Sequence, residues 1–390
     1  MNVGMIDRRK LMAVGAAMLL AGCKLIPGGG PDTSGPAPMP TPTPAPIATG
    51  LPTDTARHRV ALLVPMSGAN GAVGQSIANA TTMALLDTSA ENLRITTYDT
   101  VGGARAAAQR AIAEGNQLIL GPLLSEDVSQ VLAEARPARV PLITFSNDSA
   151  VAGPDVFVMG QAPEQSIERT VDYARAHGAA RFAAIVPEGE YGQRAAAAFR
   201  ASVVTNGGTV AGIETYARGN TSIVSAATRL SQQGGYDSVL IADGARLAAQ
   251  AAGVLKPRGA GAVQLLGTEL WSGESEITRA AGLRGAWFSA ISDARFKRFS
   301  DTYKARFGGQ PYRVSTLGYD AVLLTLRIAK DWKPGKSFPV AKLRDDAGFL
   351  GLDGAFRFGR NGVVQRAMEV REVRNGQVVI VDAAPAQFGR

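Results

Sequence analysis

Residues 59–100, RVALLVPMSGANGAVGQSIANATTMALLDTSAENLRITTYDT, decide the fold. RVALLVP (59–65) is a short apolar run with the look of a buried strand. AVGQSIANATTMALLD (72–87) carries its apolar residues at helical spacing, and RITTYDT (94–100) returns to the β-branched and aromatic composition of a strand. A strand, a helix and a second strand in immediate succession form a βα unit, which places the two strands parallel.

The same grammar continues outward. Helix 103–115 leads to strand QLILGP (117–122), and helix 125–138 leads to strand VPLITFSN (140–147). The alternation restarts after Pro163: helix 164–178, strand RFAAIVP (181–187), helix 191–208 and strand TVAGIETY (209–216). Helix 221–235, strand 236–243, helix 245–259 and strand 262–269 follow. WFSAI (287–291) reads as a crossing strand, and 294–308 and 316–332 read as helices. The tail, residues 354–382, holds Asn361-Gly362 and Asn375-Gly376, and Asn-Gly between alternating apolar residues is a hairpin signal. The fold class expected is therefore α/β: two doubly wound parallel-sheet lobes with C-terminal hairpins. Lobe 1 is expected over 58–160 with 286–350, and lobe 2 over 161–285 with 351–390. Open sheets of this kind bind ligands in the crevice beyond the carboxyl ends of their strands, so the interlobe cleft is the expected site.

Several stretches together resemble the type I periplasmic binding proteins, above all the branch that binds leucine, isoleucine and valine. They are LLVPMSGANGAVGQSIANATTMAL, LILGPLLSED, VPLITFSN, EGEYGQRAAAAFRASVVTNGG and FSDTYKARFGGQPYRVSTLGYDAVLLT, in an order and spacing that fit over residues 58–360. That resemblance implies a ligand pocket. Ser125, at a helix start after a strand, matches the position whose hydroxyl and backbone N–H groups meet a ligand carboxylate, which a helix N-terminus suits. The alternative is a helix cap only, with Glu126 and Asp127 complementing the dipole. The Ser146 carbonyl would accept from the ligand ammonium. Two residues on, where the resemblance implies a threonine, stands Asp148. A carboxylate facing another at 4 Å costs ~1 kcal/mol even in water. Either Ser149 takes over by a one-residue shift, or the pocket holds no ordinary amino acid. Tyr191 matches the aromatic that closes over the ligand, and Glu269 the acid that pairs with the ammonium. Trp271 beside it could form an apolar wall. The alternatives are a packing tyrosine at a helix start and a solvated loop acid.

The other end of the chain points to the envelope. Arg8, Arg9 and Lys10 precede the apolar run Leu11–Leu20, which is shorter than the ~20 residues a membrane-spanning helix needs. Leu20-Ala21-Gly22-Cys23 resembles the lipobox of bacterial lipoproteins, which implies a signal peptide over 1–22 and a lipidated Cys23, the chain's one cysteine. A small buried thiol is the alternative. The paired arginines leave the general secretory and twin-arginine routes both open. Lys24 after the cysteine implies sorting to the outer membrane if the source is Gram-negative. Residues 23–57, rich in Pro, Gly and Thr, can form no apolar face and read as a disordered tether. Extended as polyproline II at ~3.1 Å per residue, the tether reaches on the order of 100 Å. A lipid anchor on such an arm also resembles the lipoprotein activators of penicillin-binding proteins, some of which carry this same fold.

Composition narrows the chemistry. Hydrophobic residues make up 46% and the formal charge is +8; because residues 1–22 hold Arg8, Arg9 and Lys10 against Asp7, removing them leaves +6. No dense Lys/Arg run interleaved with aromatics suggests nucleic acid. With His58 and His177 the only histidines, a histidine-dependent triad or zinc site is not expected, nor is any cofactor. No Ser-x-x-Lys occurs, so a penicillin-binding enzyme is not expected either. The expectation is a non-enzymatic envelope lipoprotein that regulates peptidoglycan synthesis through a penicillin-binding synthase. The alternative is an amino-acid receptor serving an ABC permease, its ligand a small amino acid or a cell-wall peptide.

Overall fold

The computed structural model describes residues 56–218, 222–256 and 263–388. Cys23, the leader expected at 1–22 and all but the last two residues of the expected tether lie outside them.

The first series runs β1 (His58–Val64), α1 (Gly71–Asp87), β2 (Leu93–Asp99), α2 (Ala104–Ala113), β3 (Leu118–Leu120), α3 (Ser125–Ala135), β4 (Leu142–Thr144) and β5 (Val156–Val158). Its sheet is five-stranded in the order β2-β1-β3-β4-β5, every neighbouring pair parallel. Alternate residues of β1 serve opposite faces, as the two-residue period of a strand requires. Val60, Leu62 and Val64 pack with α1, while Ala61 and Leu63 pack with Ala107, Ala108 and Ala111 of α2. Both faces are covered, which is why β1 reads as an unbroken apolar run. The alanines let α2 lie close to the sheet.

The second series repeats that plan: α4 (Pro163–Ala176), β6 (Arg181–Pro187), α5 (Glu190–Thr205), β7 (Thr209–Tyr216), α6 (Ser222–Gln233), β8 (Ser238–Ile241), α7 (Ala245–Leu255), β9 (Gln264–Gly267), α8 (Glu276–Arg279) and β10 (Trp287–Ala290). The order β7-β6-β8-β9-β10 is the first sheet's order over again, parallel throughout. Even the βα corner recurs. A Cβ on Gly74 of α1 would stand 1.7 Å from the Pro65 carbonyl oxygen, and one on Gly192 of α5 would stand 1.6 Å from that of Pro187. Glycine at these points lets each helix start pack directly on the end of the strand before it.

The chain then returns to the first lobe with α9 (Phe296–Phe307) and α10 (Thr316–Ala329), and closes with β11 (Phe349–Gly351), β12 (Gly354–Phe358), β13 (Val364–Arg366), β14 (Glu369–Arg374) and β15 (Gln377–Asp382). Here the lobe boundaries differ from those expected. β10 falls inside 286–350, yet it pairs parallel with β9 and belongs to the second sheet. Residues 351–366 fall in the stretch expected for lobe 2, yet β11, β12 and β13 form a separate three-stranded antiparallel sheet on the first lobe's core. The cause is aromatic packing and one backbone link. Phe356 and Phe358 join the first core, Phe358 meets Phe157 edge-on at 5.2 Å, and the Val158 N–H donates to the Gly362 carbonyl at 2.9 Å. Only β14 and β15 extend the second sheet, antiparallel to β10 and to each other.

Both Asn-Gly pairs lie in hairpins. Asn375 (φ 48°) and Gly376 (φ 77°) are both left-handed, the arrangement of a type I′ turn between β14 and β15. At the other pair only Gly362 is left-handed (φ 81°), and the Asn361 Oδ1 accepts from the Val363 N–H at 3.1 Å inside a longer loop.

Buried charge fastens the small sheet to α10. Asp320 accepts from the Leu352 N–H at 2.6 Å, and Asp353 accepts from the Thr316 hydroxyl at 2.9 Å and the Arg313 guanidinium at 2.6 Å. Full burial, then the charge of Asp353, pushes the Asp320 carboxyl up to about 7.

Candidate functional site

In the first sheet, strand order reverses between β1 and β3, the switch point where doubly wound sheets take their ligands. A cavity of about 440 Å³ opens beyond the carboxyl ends of its strands. Leu123, Leu124, Phe145, Val314 and Leu317 make its walls apolar, with Asn70, Asn147, Gln161 and Arg313 as the polar groups among them.

Ser125 is the first residue of α3, next in sequence to the cavity-lining Leu124, which occupies the cap position with no side-chain hydrogen bond. The cap-only reading of Ser125 is therefore corrected: its hydroxyl lies 3.4 Å from the Glu126 carboxylate and caps nothing. Glu126 and Asp127 do sit in the first turn, complementing the dipole. At the end of β4, Ser146 is buried and its hydroxyl accepts from the Asp148 N–H at 3.0 Å. Asp148 is turned onto its own chain. Its Oδ1 accepts from the Ala150 N–H at 2.9 Å and caps the 3-10 turn Ser149–Val151 that holds Ser149. The conflict expected between Asp148 and a ligand carboxylate is thus reduced by a local turn.

Opposite, on the second lobe, Tyr191 lies at the start of α5 with its hydroxyl 3.3 Å from the Thr268 hydroxyl. The Arg218 guanidinium carbon lies 5.6 Å from the centre of the Tyr191 ring, a cation–π distance. Burial, then the nearby Glu269 charge, pushes the Tyr191 phenol well above its usual range. Glu269 is not a solvated loop acid. Its carboxylate accepts from the Ser166 hydroxyl of α4, and its backbone N–H donates to the same hydroxyl at 3.2 Å. Burial raises its pKa. Trp271 is corrected outright as an open cleft wall. It is fully buried in the second lobe's core, its indole N–H donates to the Asp243 carbonyl at 2.8 Å, and it tilts against Phe288.

Residues not singled out in the sequence complete the site. Arg194, one turn after Tyr191 on α5, donates from Nε and Nη2 to the two carboxylate oxygens of Glu164, at 2.8 and 3.0 Å. The same Nη2 donates across the cleft to the Asn147 carbonyl at the end of the first lobe's β4, at 2.7 Å. The negative charges of Asp148 and Glu190 act on that guanidinium too. Deeper in the second lobe, Asp243 accepts from the Tyr216 hydroxyl and, at 2.7 Å, from Arg218. The i, i+3 spacing of Tyr191 and Arg194 was the available signal for Arg194, since it places both on one helix face. The Ser166–Glu269 and Asp243–Arg218 pairs carried none, because each joins segments remote in sequence.

The arrangement has a definite chemical consequence. An amino-acid ligand needs a free anion for its ammonium and free donors for its carboxylate. Glu269 and the Arg194 guanidinium are already engaged within the protein, whereas Arg313, which lines the cavity, keeps its Nη2 without a hydrogen-bond partner among the described residues.

Comparison with known proteins agrees with the fold. The model of the periplasmic binding protein family matches residues 58–377. Among curated proteins, the uncharacterized protein RP748 of Rickettsia prowazekii is 32% identical over 136 residues, 34% of this chain and 36% of that one. The match thus spans about a third of that relative's length. Among solved structures, the C-domain of LpoA from Haemophilus influenzae, a regulator of PBP1A, is similar with a TM-score of 0.68 at 20% identity, covering 83% of this chain and 99% of that one. A periplasmic ligand-binding protein of a branched-chain amino acid ABC transporter from Burkholderia xenovorans gives 0.64 at 15% identity, covering 85% and 96%. The leucine-binding protein LivK of Thermotoga maritima gives 0.58 at 21% identity, covering 84% and 98%. At such identities these structures speak for the fold alone. With two sheets of the same doubly wound order facing a cleft, and a family match over nearly all of the described body, this chain belongs to the periplasmic binding protein family, in its type I, leucine-binding-protein-like form.

Proposed function

We propose that this protein is an envelope lipoprotein that regulates a penicillin-binding synthase by direct contact and performs no chemistry itself. One observation carries the reading: Arg194 joins α5 to Glu164 and to the Asn147 carbonyl across the cleft, and Glu269 is held by Ser166. Glu269, the acid expected to meet an ammonium, and Arg194 are both engaged within the protein, in keeping with lobes that serve as a body presenting surface. Cys23 would carry the lipid on the periplasmic side, in the outer membrane if the envelope is Gram-negative, and the Pro-rich tether would set the body's reach. The fold likeness to LpoA, a regulator of PBP1A, is in keeping with this role.

A second reading, a solute receptor serving an ABC permease, is favoured by the cavity itself. At about 440 Å³ it is of a size that small ligands occupy. Thermal unfolding of residues 54–390, which form one compact unit, separates the two when measured with a panel of amino acids and cell-wall peptides. A ligand at 100 times its dissociation constant stabilises the folded state by ~2.7 kcal/mol and raises the midpoint by a few degrees. The regulator reading expects no shift with any amino acid, and a saturable shift with one would overturn it.

A further inference from the structure

We propose that the groove between α1, α9 and α10, on the first lobe, is a docking site for an acidic polypeptide segment bearing an apolar anchor, presented by a partner protein. The inference rests on the reading that this protein works by contact. The groove encloses about 690 Å³, more than the cleft cavity. Met83 and Phe299, nearly fully buried, close its floor, the part-exposed Leu352 and Tyr319 give it apolar surface, and Arg295, Arg298 and Arg306 stand along it.

The charge of the groove is not balanced from within. Its one acid, Asp87, is already held by Arg306 at 2.6 Å and by the Tyr319 hydroxyl at 3.1 Å. Arg295 spends a single N–H on the Gly351 carbonyl at 2.7 Å, and Arg298 makes no ion pair among the described residues. Helix α9 itself carries Lys297, Arg298, Lys304 and Arg306 against Asp301. Guanidinium groups beside an apolar floor suit carboxylates flanking a buried side chain, because arginine binds carboxylate in a planar two-point contact. The concave floor decides between occupants. A flat anionic bilayer could touch the arginines but could not enter the hollow beside Leu352 and Tyr319, whereas a peptide side chain can.

The test is fluorescence anisotropy with the full chain and a labelled short peptide alternating Glu with Leu and Phe. Saturable binding is expected that weakens with added salt, because the pairs are exposed. R298E breaks no contact in the fold and should weaken binding about tenfold, while a peptide with Lys in place of Glu should bind R298E better than it binds the wild type. No binding, binding indifferent to R298E, or binding only to phosphatidylglycerol vesicles would each overturn the proposal. The stimulation of a penicillin-binding synthase separates the two layers of the argument. If R298E stimulates as well as the wild type does, the groove is not the docking site although contact stands. If the wild type gives no stimulation, the contact reading itself fails.

Discussion

Arg194 is the residue on which the site turns, because its one guanidinium satisfies a carboxylate on α4 and a main-chain carbonyl on the facing lobe. Replacing it by alanine removes the link between Glu164 and the exposed Asn147 carbonyl, at a cost of about 0.5–1.5 kcal/mol since water reaches both, and frees the lobes to part. R194A should show a larger radius of gyration in solution scattering; an unchanged radius would mean that Arg194 does not tie the lobes. Trp271 belongs to a different category. W271A should lose about 3–5 kcal/mol in denaturant unfolding, as a large core side chain does, without altering the response to any ligand. Asp320 supplies a pH signature. Its folded pKa of about 7 lies above the usual carboxyl value of about 4, so between those values the folded state keeps a proton that the unfolded chain releases. Its contribution to stability therefore falls as pH rises through that window. Asparagine does not titrate, so the melting point of D320N minus that of the wild type should climb from about pH 4 to about pH 7 and then level off. A difference that stays flat with pH would refute the assignment. At this scale the sequence was legible in part. Tyr191 stands at the start of α5, one turn before Arg194, but Glu269 reads as an ammonium partner until Ser166, over a hundred positions away, is seen beside it.

At the scale of elements, legibility followed local pattern. The long alternating stretches over α1, α4, α5 and α10 and the strands β1, β6 and β7 were readable because period and length agree. β5 has three residues and escaped notice, and β10 was readable as a strand but not as a member of the second sheet, since pairing partners leave no mark on so short a run. Asn375-Gly376 spelled its own turn, whereas Asn361-Gly362 fixed a hairpin whose docking depends on Val158 and Phe157, far away in the chain. The βα corners give a sharp test. G192A forces a Cβ into the Pro187 carbonyl and should cost about 1–3 kcal/mol. G253A, at an exposed position of α7 with open space around it, should instead stabilise by about 0.5–1 kcal/mol. Equal effects from the two would contradict the packing described.

For the whole molecule, two copies of one topology face each other, and the tail is divided between them: β11 to β13 on the first lobe, β14 and β15 on the second. The doubled plan was visible in the repeated βα grammar. The division of the tail was not, since it depends on which core the aromatic residues of the last fifty positions fill. A cleft bridged by its own residues and a cationic groove between α1, α9 and α10 both favour action through surface. The most direct test is the rate of glycan polymerisation by a purified penicillin-binding synthase as the full chain is titrated in. The account predicts a saturable rise in rate that free amino acids neither mimic nor block. A rate unmoved across the titration, with an amino acid stabilising the protein instead, would contradict it.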